Sequence, residues 1–280
     1  DYVVMVRGRA KAFLAGTALL KAATGEDASE EELGGAEMHA TVSGLAEYLA
    51  EDDADGIRLA REVLAKLDWN RDLRREEKSV SVPRRDIEEL LGLVPLDTKK
   101  PYDVREVIAR LVDGSDFLDF KPGYGVSTVC GHAVLDGHAV GIIGNNGPID
   151  PAGATKASHF IQACCQSGTP IIYLQNTTGY IVGKASEQAG MIKHGAKMIQ
   201  AVANASVPQI TLHIGASFGA GNYGMCGRAY GPRFAFSWPN AKTAVMGGEQ
   251  AAMTMRLVME AKLKRGGAGD TKAVDTAQLD

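Results

Sequence analysis

Short apolar runs alternate with longer amphipathic segments through most of the chain. The runs at 169–175, 209–214 and 233–238 are too short for buried helices and favour buried strands. Residues 152–167, before the first run, and 186–205, between the first two, carry apolar side chains at helical spacing and predict helices. Because strands alternate with helices, the pattern predicts an α/β layered core with right-handed crossovers.

Local signals predict the remaining elements. The segments 125–130 and 132–143 predict two strands, and Asp136-Gly137, which lies inside the second range, predicts the turn of a β-hairpin. A strand is expected at residues 1–6 and a helix at 103–112. In the helix expected at 57–67, the inward face is predicted to comprise Ile57, Ala60, Leu64 and Leu67.

A charged, proline-containing stretch separates two parts of the sequence. It holds the charge run Arg71–Lys78 and prolines at 83, 95 and 101. This composition predicts a solvated linker over 76–101, with one short helix at Arg85–Leu91. Two similar α/β units in tandem, 1–75 and 102–280, are therefore expected.

Composition excludes several classes of protein. A net charge of -4 over 280 residues argues against a nucleic-acid surface. The chain has no uninterrupted apolar run of about 18 residues, so no transmembrane helix is predicted. The four cysteines lack paired metal spacing and are expected to be buried and reduced. Residue 1 is not methionine, so the sequence is expected to be part of a longer chain. Neither a signal peptide nor a transit segment is visible in it.

Glycines crowd the stretch Gly215–Gly227, which follows the apolar run ending at Ile214. Glycine permits strained backbone angles and a close approach to the main chain. A helix that starts there leaves backbone N–H groups unpaired, and such groups can stabilise an oxyanion. The helix expected at 186–205 has Ser186 as its predicted N-cap, and its predicted apolar face comprises Ile192, Ala196, Ile199 and Val202 or Ala203. Gly190 and Gly195 inside this helix indicate a close neighbour or a ligand.

Two side chains invite other catalytic interpretations. Gly215-Ala-Ser217-Phe-Gly219 matches the nucleophile elbow of serine hydrolases, but all six histidines precede Ser217. The hydrolase order requires an acid and a histidine after the serine, so Ser217 is not expected to be a nucleophile. His39 lies near a glycine turn, and a structural role is favoured for it.

Three stretches together resemble one family. Gly179-Tyr180 with Glu187–Lys197, then Gly215–Gly227, then Phe236–Met246 are similar to the carboxyltransferase (β) subunit of biotin-dependent acyl-CoA carboxylases. The resemblance extends over residues 1–260. The amino-acid sequences at Asn176–Tyr180 and Ala220–Gly227 are most similar to those of the 3-methylcrotonyl-CoA and geranyl-CoA carboxylases.

This resemblance implies a crotonase-like (ClpP/crotonase) α/β fold of two homologous domains, both truncated here. It implies transfer of a carboxyl group from carboxybiotin to the γ carbon of a branched 2-enoyl-CoA. Biotin is carried by a partner, the biotin carboxylase/biotin carrier (α) subunit, and coenzyme A carries the acyl substrate. The site lies between the N-domain of one subunit and the C-domain of another, which implies a homo-oligomer, a β hexamer. No metal is expected in this subunit, and no side-chain base, since the ureido anion of biotin can take the substrate proton.

The resemblance also assigns site residues. Ala220 and Gly221 are the pair of backbone amides that faces the ureido oxygen of biotin, and a side chain at Gly221 is expected to occupy the space of biotin. The matching amide pair for the thioester oxygen would precede Asp1. Substrate binding is assigned to Phe13, Leu14, Ala15, Gly16, Thr178, Gly179 and Tyr180.

The chain departs from the family at one place, and the resemblance also implies a cellular location. The family commonly has two prolines after Phe-Leu-Ala-Gly, where this chain has Thr17-Ala18. Because proline fixes φ, their replacement bears on acyl-chain specificity or loop order. The expected location is the cytoplasm in a bacterium or the mitochondrial matrix in a eukaryote.

Three alternatives stay open on the sequence alone. The first is a carboxyltransferase for propionyl-CoA or acetyl-CoA. The second is a crotonase-type acyl-CoA hydratase or isomerase, which needs a carboxylate or base beside the thioester. The third is a non-catalytic assembly subunit that keeps the fold.

Overall fold

The computed structural model describes residues 2–67, 80–95, 97 and 100–265. Its first part is a parallel pair of strands with helices around it. The elements in chain order are β1 (Val4–Val6), α1 (Thr17–Thr24), α2 (Glu30–Gly34), α3 (Ala36–Met38), a π-helical turn (His39–Ser43), β2 (Tyr48–Ala50) and α4 (Asp53–Lys66).

A seven-stranded sheet forms the second part. Its strands are β3 (Phe117–Asp119), β4 (Thr128–Leu135), β5 (His138–Asn145), β6 (Ile171–Thr177), β7 (Gln209–Phe218), β8 (Phe234–Ser237) and β9 (Lys242–Ala244). Its helices are α5 (Leu90–Leu93), α6 (Val104–Leu111), α7 (Pro151–Ser167), α8 (Lys184–Gln188), α9 (Met191–Ala203), α10 (Gly219–Gly224) and α11 (Gly248–Arg265).

The sheet changes from antiparallel to parallel pairing at β5. Its order is β3-β4-β5-β6-β7-β8, and β9 also pairs with β7. The predicted hairpin between β4 and β5 is confirmed, with Leu135 opposite His138. Asp136 and Gly137 both have positive φ, as a two-residue type I′ turn requires.

Helices cover both faces of this sheet, which confirms the predicted layered α/β core. On one face, Ile143 and Tyr173 pack with Phe160 and Ile161 of α7. On the other face, Ile142, Leu174 and Ile214 pack against Val107 and Ile108 of α6. Adjacent strand residues therefore bury opposite sides, as the two-residue period of a strand dictates.

Two predicted helix faces are wrong. In α4, Ile57 and Leu64 are 63% and 54% exposed, while Leu59 and Val63 are buried against the β1–β2 pair. The helix carries apolar residues on two sides, so its periodicity did not reveal which side meets the sheet. In α9, Ile192 is 77% exposed, and the buried residues are Met191, Gly195, Met198 and Val202.

The helix expected at 186–205 is two helices. Gly190 has φ +85 and lies between α8 and α9, so it separates them rather than lying inside one helix. Ser186 is not an N-cap, because α8 begins at Lys184 with Gly183 in the capping position. Glycine at 190 is explained by a left-handed backbone conformation that other residues rarely adopt.

The short helix expected within the linker differs from the elements observed there. A 3-10 turn at Ile87–Glu89 and α5 replace the helix expected at Arg85–Leu91. The charge run Arg71–Lys78 lies outside the described residues. The strand expected at 125–130 is β4, which runs from Thr128 to Leu135, and the strand expected at 132–143 is divided between β4 and β5.

A buried ion pair joins the two parts of the chain. Glu47, just before β2, lies with Oε1 2.7 Å from Nζ of Lys121, and these side chains are 1% and 4% exposed. Oε2 of Glu47 accepts a hydrogen bond of 2.5 Å from the backbone N–H of Val3. Lys121 also donates to the carbonyl oxygen of Gly44. The Glu47 carboxylate and the Lys121 ammonium group therefore each have a charged and a polar partner, although both are buried.

A buried histidine lies at the same junction and predicts acid sensitivity. Nε2 of His132 lies 2.6 Å from the hydroxyl of Tyr2. Burial lowers the pKa of His132 to about 4, whereas an unfolded histidine titrates near 6.5. Between these values only the unfolded chain binds the proton, so the free energy of unfolding falls as the pH falls, by about 3 kcal/mol.

Urea unfolding at pH values from 7 to 4 tests this expectation. His132→Phe keeps an aromatic ring beside Phe160, whose centroid lies 4.9 Å from that of His132. The variant should lose about 3 kcal/mol less stability than the wild type over this pH range. Equal losses in the two proteins would contradict the assignment.

The described residues include no helix long and apolar enough to cross a membrane.

All four cysteines are free. Cys130, Cys164 and Cys226 are buried and Cys165 is partly exposed, which agrees with the expectation for three of them.

Candidate active site

The glycine-rich turn starts four residues further along the chain than the sequence indicated, at Gly219 instead of Gly215. Strand β7 does not end at Ile214 but continues through Gly215 to Phe218. Gly215 lacks a side chain because the Asn176 side chain fills the adjacent space and Oδ1 of Asn176 accepts from the Ala216 N–H. The chain turns at Gly219, which has φ +55, and α10 starts there.

The first turn of α10 presents backbone amides. Phe218 is its N-cap residue and provides no side-chain cap. Ala220 and Gly221 are the second and third helical residues, whose N–H groups have no partner within a helix. Ala220 is exposed and Gly221 is buried. The turn can therefore donate two adjacent N–H groups to an oxygen atom.

Gly221 lies against the backbone of the 177–181 loop. A Cβ atom at Gly221 would lie 2.7 Å from Cα of Gly179 and 3.2 Å from its carbonyl carbon. A side chain at 221 would therefore force α10 away from Gly179, so this backbone contact by itself requires glycine at 221. The expectation that such a side chain would also occupy the space of biotin stays a prediction.

Hydrogen bonds fix the loop that carries Thr178, Gly179 and Tyr180. The Thr177 hydroxyl lies within 3.2 Å of the Gly147 carbonyl and of the Gly179 N–H. Ile149 donates its N–H to the Gly179 carbonyl. Thr178 is exposed between these anchored residues.

Tyr180 packs between α9 and α10. Its ring lies 3.3 Å from the Cβ position of Gly195, and its hydroxyl would overlap a Cβ at Gly224. The hydroxyl donates to the Gly195 carbonyl at 3.3 Å. Burial raises the pKa of Tyr180, so the hydroxyl keeps its proton. The close neighbour predicted for Gly195 is thus this ring.

Ser217 is completely buried in β7. Its Oγ donates to Oε1 of Gln175 and accepts from Nδ2 of Asn222 at 2.7 Å. Both partners are amides, and neither can act as a general base for the serine. The geometry agrees with the expectation that Ser217 is not a nucleophile.

The Phe13–Gly16 stretch lies in the first part of the chain. Leu14 is fully exposed and Phe13 is 40% exposed. His39 anchors the start of this stretch, since Nε2 donates to the Ala12 carbonyl at 2.6 Å and Nδ1 lies 2.7 Å from Oγ of Ser43. Both ring nitrogens are occupied, which supports a structural role. None of the described hydrogen bonds joins Phe13–Gly16 to Thr178–Tyr180 or to α10.

A small cavity opens at the carboxyl ends of β5, β6 and β7. It measures about 280 Å³, and its lining includes Asn146, Asn176, Thr178 and Ala216. These residues follow or end the parallel strands, and ligands of α/β proteins bind at the carboxyl ends of such strands. The cavity is slightly smaller than most ligand pockets.

The amino-acid sequence matches the carboxyl transferase domain over residues 1–279. The chain belongs to this family. It is 50% identical to the methylcrotonoyl-CoA carboxylase β chain of Dictyostelium discoideum, over 260 residues covering 93% of this chain and 44% of that protein.

Two solved structures are also similar to this carboxyl transferase domain. The β subunit of P. aeruginosa geranyl-CoA carboxylase is 61% identical, with a TM-score of 0.65, over 94% of this chain and 50% of that one. The transcarboxylase 12S structure, described as a hexamer assembly with hydrolysed methylmalonyl-coenzyme A bound, is 38% identical. Its TM-score is 0.83, over 91% of this chain and 51% of that one. The chain spans about half the length of the relatives that it matches.

Family membership confirms the resemblance and the crotonase-like α/β fold predicted from the sequence. The polar side chains described around the α10 turn of this carboxyl transferase domain are amides and hydroxyls. Among the described residues, no group of three His, Cys, Asp or Glu side chains could hold a metal ion.

Sequence reasoning missed the amides that support the site. Gln175 and Asn222 bond to Ser217, and Asn145 accepts from the Asn176 N–H at 3.3 Å. A signal was present for two of them, because Asn145 ends β5 and Gln175 ends the apolar run 169–175 of β6. Their pairing depends on contacts between residues up to 47 positions apart, which no local pattern shows.

Proposed function

We propose that the full-length protein containing this chain is the carboxyltransferase β subunit of a biotin-dependent acyl-CoA carboxylase. It moves a carboxyl group from carboxybiotin to the γ carbon of a branched 2-enoyl-CoA, either 3-methylcrotonyl-CoA or geranyl-CoA. The observation that carries this proposal is the first turn of α10, where the Ala220 and Gly221 amides have no helical partners and Gly221 lies against Gly179. The similarity to methylcrotonoyl-CoA and geranyl-CoA carboxylase β subunits supports the substrate class.

The α10 turn suits an oxygen atom of a flat ring, including one on which negative charge develops. Gly219, Ala220 and Gly221 carry no side chain larger than a methyl group, and Ala220 is exposed. When bound, biotin supplies the activated carboxyl group and the ureido group that takes the substrate proton. The chain contributes the Ala220 and Gly221 N–H groups, which donate to the ureido oxygen. In other enzymes one such donor is worth about 3–4 kcal/mol.

A second copy of the chain supplies the rest of the site in this proposal. Phe13, Leu14, Ala15 and Gly16 contact the acyl-CoA, while Thr178, Gly179 and Tyr180 of another copy contact the bound substrate. The full exposure of Leu14 supports this division. Phe234 and Phe236 of β8, stacked at 6.0 Å and more than half exposed, also support burial against another subunit.

We propose a β hexamer that works with a biotin carboxylase/biotin carrier (α) subunit. The hexamer described for transcarboxylase 12S supports this assembly. Residues 1–75 and 102–280 are proposed to be parts of the N-domain and C-domain, joined by 76–101. The proposed location is the cytoplasm of a bacterium or the mitochondrial matrix of a eukaryote.

Bicarbonate fixation across a panel of acyl-CoAs tests the substrate assignment. The full-length protein, assembled with its biotin-bearing partner and given ATP, should show the highest kcat/KM with 3-methylcrotonyl-CoA or geranyl-CoA. The reason is the similarity of Asn176–Tyr180 and Ala220–Gly227 to the 3-methylcrotonyl-CoA and geranyl-CoA carboxylases. A higher kcat/KM with propionyl-CoA or acetyl-CoA would place the protein in the other branch of the family.

The same assembly distinguishes the alternative activities. A hydratase would add water to the enoyl-CoA without ATP or bicarbonate, and an assembly subunit would bind the partner without fixing bicarbonate. We expect neither result.

A further inference from the structure

Three polar side chains connect the ends of β6 and β7 to α10. Ser217 in β7 donates to Oε1 of Gln175 in β6. Asn222 in α10 donates through Nδ2 to Oγ of Ser217 at 2.7 Å and to Oε1 of Gln175 at 3.3 Å. Gln175 and Ser217 have no solvent exposure. We call these three residues the 175–217–222 network.

The hydrogen-bond directions in this network follow from the orientation of the Gln175 side chain. Nε2 of Gln175 donates to the Met225 carbonyl at 2.6 Å, which turns Oε1 of Gln175 toward Ser217. The Ser217 hydroxyl gives its proton to that oxygen and keeps a lone pair for Nδ2 of Asn222. Each donor therefore has an acceptor in a single arrangement, and a buried network satisfied in this way is rigid.

The network holds α10 at two points. Asn222 directly follows Gly221, and Met225 directly follows the last residue of the helix. The Asn222 carbonyl also accepts from the Gly227 N–H at 2.8 Å. Such attachment matters because a six-residue helix has few internal hydrogen bonds, and Phe218 provides no side-chain cap.

We infer that the 175–217–222 network is a positioning device that sets the direction of the Ala220 and Gly221 amides. This inference rests on the proposed function, in which those amides stabilise developing charge. Stabilisation of that kind requires donors held in place before the reaction, because reorientation during the reaction consumes the gain. Gln175, Ser217 and Asn222 act through the backbone of α10 and touch no substrate in this account.

Ser217→Ala tests the inference in the full-length protein assembled with its biotin-bearing partner. The substitution removes one hydroxyl and leaves Asn222 without its nearer acceptor. The kcat of carboxyl transfer should fall at least tenfold, while the KM for the acyl-CoA stays within twofold. Asn222→Asp, which replaces the Nδ2 donor by an oxygen facing two oxygens, should lower kcat further.

Thr211→Val is the matched control. Thr211 is also fully buried in β7, and its hydroxyl donates to the Cys226 carbonyl at 2.6 Å, outside the network. It should lose stability to urea much as Ser217→Ala does, yet keep kcat within twofold of the wild type.

The outcomes separate the inference from the proposed function. If the wild-type assembly transfers carboxyl groups and Ser217→Ala keeps its kcat, the inference is wrong and the proposed function stands. An equal fall of kcat in Thr211→Val would show a general packing effect and also overturn the inference. Absence of transfer by the wild type to every acyl-CoA tested would overturn the proposed function itself.

Discussion

Gly221→Ala is expected to lower carboxyl transfer at least 100-fold. The added Cβ would lie 2.7 Å from Cα of Gly179, a backbone atom that cannot rotate away. Either α10 or the 177–181 loop must shift, and a displacement of about 1 Å at a catalytic group can cost 100-fold in rate. The measurement is the initial rate of bicarbonate fixation by the full-length protein with its partner subunit.

Gly92→Ala is the control for the same chemical change. Its Cβ meets no atom within 4 Å, so the rate should stay within twofold of the wild type. Light scattering should show the same assembly for both variants, and the partner should still carboxylate its own biotin with ATP. A correctly assembled Gly221→Ala protein that keeps more than about a tenth of the wild-type rate would contradict the assignment, since that loss is under about 1.4 kcal/mol.

Lys121→Met is expected to have the largest effect on stability, about 3–5 kcal/mol. The substitution leaves the Glu47 carboxylate buried without the cation 2.7 Å from it. Glu47→Gln in the same chain should recover part of the loss, because no unpaired charge then remains. Urea unfolding followed by circular dichroism measures these differences.

An exposed ion pair supplies the comparison. Arg9 lies 2.5 Å from Asp53, and their side chains are 69% and 64% exposed. Because solvent screens such pairs, Arg9→Met should cost at most about 1 kcal/mol. If Lys121→Met and Arg9→Met had equal effects, the Glu47–Lys121 pair would not join the two parts of the chain as described.

The elements that the sequence predicted well are those with signals close together in the chain. Asp136-Gly137 defines a hairpin by itself, because both residues accept positive φ. Helix α7 has its N-cap at Asp150, Pro151 in its first turn and Gly168 at its end. In such places the local backbone chemistry and the tertiary structure favour the same conformation.

The errors occur where packing decides between local possibilities. Both Ile57 and Leu59 are apolar, and only contact with the β1–β2 pair selects Leu59 as the buried one. Gly190 satisfies a helical pattern but separates two helices, since its φ is positive. The extension of β7 to Phe218 depends on pairing with β6 and β9, which the glycine-rich sequence does not indicate.

The candidate site was predictable only in its main-chain part. Glycines at 219 and 221 indicated a turn with accessible amides, and the family resemblance assigned a role to Ala220 and Gly221. The contact between Gly221 and Gly179 joins positions far apart in the chain. The network through Gln175 likewise depends on the pairing of β6 with β7, so it required the structure.

Transfer of label from a charged biotin partner tests the central claim most directly. The partner subunit is carboxylated with labelled bicarbonate and ATP, freed of both, and mixed with the full-length protein and 3-methylcrotonyl-CoA or geranyl-CoA. The account predicts that the label moves from biotin to the acyl-CoA, and at least 100-fold more slowly with Gly221→Ala. Label that stays on biotin with the wild-type protein, while the same enoyl-CoA is hydrated, would contradict it.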